Sequence, residues 1–90
     1  MTDRIQVTRD HLNDAFDLLD GRLDSRIKRH GDMSHASVHE SLGVIAEEYK
    51  ELLDEIHANN VQGVADEGID LALAAIYMVA SLIAKGKING

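Results

Sequence analysis

The sequence predicts an all-α protein with three main helices per chain, an incomplete bundle that oligomerisation completes into a four-helix-type core. Three observations point there. Apolar residues recur at helical spacing through three long stretches, each preceded by a residue suited to capping a helix. The 90 residues hold no proline and no cysteine and fit a single domain, residues 1–90. A chain of this size buries only a modest fraction of its surface as a monomer, yet its third stretch is apolar around most of its circumference.

The first seven residues read as a ragged start. Thr8 is placed to cap a helix running to about Arg29, with Leu12, Ala15, Phe16, Leu19, Leu23 and Ile27 as its apolar stripe. Gly21 weakens the middle of that helix by about 1 kcal/mol relative to alanine, which leaves room for a bend or break there. Gly31-Asp32-Met33-Ser34 forms a connector. Ser37-Val38-His39-Glu40 has the form of a capping box, in which the serine hydroxyl serves the Glu40 amide and Glu40 reaches back to the cap amide.

The second helix, residues 38–57, takes Leu42, Ile45, Ala46, Tyr49, Leu52, Leu53 and Ile56 as its core face. Glu47, Glu51 and Asp54 lie opposite, and Glu48 falls on the boundary. His57-Ala58-Asn59-Asn60 supplies a turn, with Asn60 free to cap the next helix. The third helix, residues 61–85, is interrupted beyond Ile69 only by Asp70, Tyr77 and Ser81. Such a helix is buried on more than one side. Two other helices leave a strip of it for a second subunit. Gly86 stops the helix, and Lys85 and Lys87 suit its negative end.

Composition excludes several classes of function. A net charge of −7 and a pI near 5.0 leave no broad basic surface for nucleic acid. One Phe, two Tyr and no Trp leave few stacking platforms for bases. The absence of cysteine fits a cytoplasmic protein. No charged-then-apolar signal segment opens the chain, and the apolar run Leu71–Ala84 falls short of the roughly 20 residues of a membrane span. A small phosphate ligand is compatible with this composition, because a bound metal can supply the positive charge that the protein lacks.

Two acidic clusters suggest where that metal sits. Glu47-Glu48-x-x-Glu51 and Glu67-x-x-Asp70 flank the polar turn. If the second and third helices fold back around Ala58 and Asn59, Glu48 stands level with Asp70 and Glu51 with Glu67. Acids are 16 of the 90 residues, so either cluster alone reads as an ordinary solvated face, and Lys50 with Asp54 as a surface pair. Glu67 and Asp70 are less ordinary, because they enter the most apolar helix, where an unpaired carboxylate costs several kcal/mol if buried. Convergent carboxylates repel one another, and a set of oxygen ligands points to Mg²⁺, or Mn²⁺, over Zn²⁺.

The ordered pair of clusters resembles the signature of the MazG-like all-α nucleoside triphosphate pyrophosphohydrolases. The stretch His39–Leu52, with Glu47-Glu48-Tyr49-Lys50-Glu51, looks like the first metal helix of that family, and Asp66-Glu67-Gly68-Ile69-Asp70-Leu71 looks like the second. The likeness covers about residues 35–85. It implies that Glu48, Glu51, Glu67 and Asp70 are metal ligands, and that Glu47 binds a further metal or helps activate water as the catalytic acid-base group. It implies Mg²⁺-dependent hydrolysis of a nucleoside triphosphate to monophosphate and pyrophosphate, while the small size of the chain and its apolar third helix point to a homodimer or homotetramer. The family usually carries a later helical segment with Lys and Asn that contact phosphate or base. Lys85, Lys87 and Asn89 come too soon after Asp70 to align with it. Either the first helix and a partner subunit complete the site, or catalysis is altered or lost. The alternative reading is a non-catalytic helical dimer for nucleotide sensing or protein interaction.

Other residues carry weaker signals. His35 and His39, four apart, invite a zinc reading but lack a third ligand motif. Ser34, Ser37 and Ser41 have no nucleophile-elbow pattern around them. Arg22, Arg26, Lys28 and Arg29 form a basic patch late in the first helix, ordinarily a solvated face and otherwise within reach of a phosphate.

Overall fold

A computed structural model describes residues 4–90, and the element order is α1 (Arg9–His30), α2 (Val38–His57) and α3 (Val61–Ala84). All regular structure among these residues is helical. Residues 1–3 of the ragged start lie outside the described residues, and residues 4–8 carry no regular structure.

The caps account for each helix boundary. Thr8 Oγ1 accepts from the His11 amide at 3.3 Å, and the Thr8 amide donates to His11 Nδ1 at 3.0 Å. A histidine thus fills the place that glutamate takes in the usual capping box. Ser37 Oγ accepts from the Glu40 amide at 3.2 Å, while no return bond from Glu40 accompanies it. Asn59 adopts φ 55°, and the Asn59 and Asn60 amides donate to Ile56 and Glu55 carbonyls. That is a Schellman closure with asparagine in the left-handed position. Asn60 then turns its Oδ1 to the Gly63 amide at 3.2 Å and opens α3. The same closure recurs at the end of α3, where Gly86 has φ 71° and Lys87 donates to the Leu82 carbonyl.

Gly21 does not interrupt α1, which is continuous from Arg9 to His30. Favourable flanking turns outweigh its single propensity cost.

α2 and α3 form the hairpin, and α1 packs on α3 without reaching the α2 backbone. Three helices in this arrangement enclose little. The radius of gyration is 15.0 Å and the extents are 48 × 28 × 26 Å, against about 12 Å for the radius of gyration of a compact chain of this length. Among the described residues only Leu73 and Ala74 are buried apolar residues, with Ser41 and Ser81 as buried polar ones. The core face expected of α2 is corrected here, since Leu42, Ala46, Tyr49 and Ile56 are exposed. Leu12, Phe16 and Ile27 of α1 are exposed as well. The cause is geometric: with α1 leaning on α3 alone, nothing in the chain covers these positions.

By length and composition α3 is apolar enough to cross a membrane, which the shorter run Leu71–Ala84 does not register. Glu67 and Asp70 belong to that same helix and are half-buried among the other two.

Asn60→Ala is expected to lower stability by about 1 kcal/mol through the lost cap, whereas Asn59→Gly is expected to leave it within a few tenths, since glycine accepts a positive φ without strain. Urea denaturation of the two variants checks the pair.

Candidate metal centre

The hairpin turn sets the register, and the register brings the acids together. Glu48 of α2 and Glu67 and Asp70 of α3 each present a carboxylate oxygen, and the three oxygens lie within 4.8 Å of one another. Glu67 and Asp70 are separated by three residues and share a face of α3. All three residues are half-buried. Glu51, one turn along α2, is exposed and acts on the Glu67 carboxyl. Glu47 is exposed and stands outside the group of three. Glu55 of α2 adds its charge near Glu67.

The electrostatic consequence is that Glu48 and Glu67 hold their protons to higher pH. Partial burial, then the charges of Glu51, Asp70 and Glu67, push Glu48 up to about 7, against a smaller opposing pull from Arg26. Glu67 is raised too, first by burial and then by its hydrogen bond and charge interaction with Glu51, with Asp70 and Glu55 adding to it. Glu48 Oε2 and Glu67 Oε2 are both inaccessible and have no hydrogen-bond partner. Two orphaned acceptors beside a third carboxylate suit a hard cation, because such an ion takes oxygen ligands and neutralises their charge.

Asp70 is the exception, since its charge is already met. Arg22 Nη1 donates to Asp70 Oδ1 at 2.7 Å and Arg26 Nη2 donates to the same oxygen at 2.9 Å. Arg22 Nη2 also reaches Asp66 Oδ1 at 3.3 Å. Part of the basic patch of α1 is therefore no solvated face: it closes over the entrance of α3. The i,i+4 spacing of Arg22 and Arg26 was visible in the sequence, but nothing local assigns their partners on another helix.

The histidine pair resolves differently. His35 precedes α2 and so shares no helix face with His39, which is exposed. His35 Nδ1 lies 2.6 Å from Ser41 Oγ, and its amide donates to Ser81 Oγ at 2.9 Å. Lys85 Nζ donates to the His35 and Ala36 carbonyls. These groups strap the connector onto α3. Lys50 and Asp54 form the surface pair at 3.3 Å.

No family model, curated protein or solved structure matches the chain. The fold and geometry define a helical chain with a half-buried carboxylate cluster.

Glu48 and Glu67 keep their protons to higher pH in the folded chain than in the unfolded one. Their contribution to stability is complete below the ordinary carboxylate range and is lost as pH rises, for Glu48 through about 7. Without divalent cation, denaturation midpoints should fall as pH is raised from about 5 to about 8. In Glu48→Gln that fall should be shallower, and an unchanged slope would mean that Glu48 titrates as a surface acid.

Proposed function

We propose that this protein is a Mg²⁺-dependent nucleoside triphosphate pyrophosphohydrolase of the MazG-like kind. The observation that carries the reading is the meeting of Glu48, Glu67 and Asp70 within 4.8 Å, with two of their oxygens inaccessible and unpartnered. Glu48, Glu67 and Asp70 would hold the cation, Mg²⁺ or Mn²⁺, with Glu51 as a further ligand beside Glu67. A cation bound there neutralises phosphate charge and lowers the pKa of a bound water. The chain's own contribution is positional, with ligands on two rigid helices of fixed register. Glu47, exposed one position before Glu48, is the group we assign to accepting the proton of the attacking water. Water adds at a phosphorus of the nucleotide, pyrophosphate departs, and the monophosphate retains the new oxygen.

We further propose that the working form is a homodimer or homotetramer, in which a second copy completes a four-helix-type core. The exposed Leu42, Tyr49 and Ile56 of α2 and Leu12 and Phe16 of α1 support this. Nucleotide, rather than nucleic acid or membrane, is the partner in this reading, and the cytoplasm its place.

A second reading is favoured by one observation. Two guanidinium groups already meet Asp70, which makes a non-catalytic helical dimer for nucleotide sensing or protein interaction a coherent alternative.

Incubation with a panel of nucleoside triphosphates and Mg²⁺ is expected to release pyrophosphate. Glu51→Gln and Asp70→Asn are each expected to lower the rate on the order of a hundredfold or more while the helical circular dichroism is kept. No turnover across the panel, with Mg²⁺-dependent nucleotide binding intact, selects the sensing module. Sedimentation at the mass of one chain would refute the assembly.

A further inference from the structure

Beside the carboxylate cluster runs a cleft of about 530 Å³, lined by Arg22, Ser25, Arg26, Arg29, His30 and Asp70. Its volume falls in the range of small-ligand sites. In a chain of net charge −7 with nine Lys and Arg in all, three arginines on one wall are a local reversal of sign. Their spacing explains the wall: positions 22, 26 and 29 recur at i, i+4 and i+7 and so share one face of α1.

The arginines are not used up by their acidic neighbours. Arg26 contributes one nitrogen to Asp70, and Arg22 contributes two, to Asp70 and Asp66. A guanidinium carries five N–H donors. Arg29 takes part in none of the ion pairs found among the described residues. Arg22 and Arg26 keep about a third of their side-chain surface exposed, at 34% and 30%. Free donors of fixed charge therefore face an open cleft.

Asp70 belongs to both places, as one of the three clustered carboxylates and as part of the cleft lining. An anion that lies in the cleft thus comes within reach of whatever the carboxylates hold.

We propose that this cleft is a polyphosphate subsite, in which Arg26 and Arg29, with Arg22 behind them, bind the phosphates of a ligand whose chain extends toward the carboxylate cluster. The inference rests on the metal reading of that cluster for its direction, and it supplies from α1 the phosphate contacts that the two acidic helices lack. Planar guanidinium groups suit phosphate oxygens because two N–H donors match two acceptors.

The test uses inorganic tripolyphosphate as the probe, which removes base and sugar from the question. Calorimetric titration is made into wild-type, Arg26→Gln and Arg29→Gln protein, each with Mg²⁺ and with EDTA. Both variants are expected to bind tripolyphosphate roughly tenfold more weakly in Mg²⁺. Arg29→Gln, whose side chain holds no ion pair, is expected to keep the wild-type melting temperature and the wild-type shift of that temperature by Mg²⁺ alone. Wild-type affinity in both variants, or no binding by the wild type in Mg²⁺, overturns the subsite; if Mg²⁺ still raises the melting temperature, the metal reading stands without it. Binding that persists in EDTA and weakens in the variants sustains the subsite and removes its dependence on metal.

Discussion

Carboxylates gathered in a partly dry space cannot all ionise unless positive charge comes to them, and that constraint organises the upper half of this bundle. Glu48, Glu67 and Asp70 converge because the turn at Asn59 and Asn60 gives α2 and α3 one register. The chain answers with α1, whose Arg22 and Arg26 meet Asp70 from the far side. The Asp70 side chain is only 15% exposed, so removing both guanidinium groups would leave a poorly solvated, unpaired charge. The penalty for that exceeds the net worth of the pair itself. The other two acids receive no such partner and respond by holding protons, Glu48 up to about 7.

The placement of α1 is set by two anchors. Near its C-terminal half the arginines reach α3, and beyond its end the connector is tied down by His35, Ser41, Ser81 and Lys85. Ser41 and Ser81 are buried because they serve this strap. Apolar contact adds to the polar anchors without dominating them, since Leu12, Phe16 and Ile27 keep much of their surface exposed. An α1 that packs on α3 alone leaves the sides of α2 uncovered. That is why so few apolar residues are buried in the single chain.

Much of this was legible from local pattern. Thr8, Ser37, Asn60 and Gly86 mark helix limits because capping is a matter of a few neighbouring atoms. The level matching of Glu48 with Asp70 needs only a short turn and a constant rise per residue. What could not be read is anything set by the angle of α1. Arg22 and Asp70 stand 48 residues apart, and no periodicity links them. The same holds for His35 and Ser81: a serine within an apolar helix looks like an interruption until the connector is seen to cross it. The α2 core face is met only in part within one chain, with Ile45, Leu52 and Leu53 half-buried and the rest uncovered, because periodicity says which side of a helix is apolar and not whether anything arrives to cover it.

The two arginines change what the acidic cluster means. Had Glu48, Glu67 and Asp70 stood alone, the simplest relief would be protonation, and the cluster would be a sink for protons. With cations fixed on one side, the remaining field is uneven: Asp70 Oδ1 is neutralised by Arg22 and Arg26, while Glu48 Oε2 and Glu67 Oε2 face inward without partners. A divalent cation placed among them would meet the orphaned oxygens, and since both arginines bind the same oxygen of Asp70 the second oxygen of that carboxylate would be left for it. In that arrangement metal and arginine would be compatible neighbours rather than rivals. Their joint positive charge would then face the cleft beside α1, where an extended anion gains from both at once.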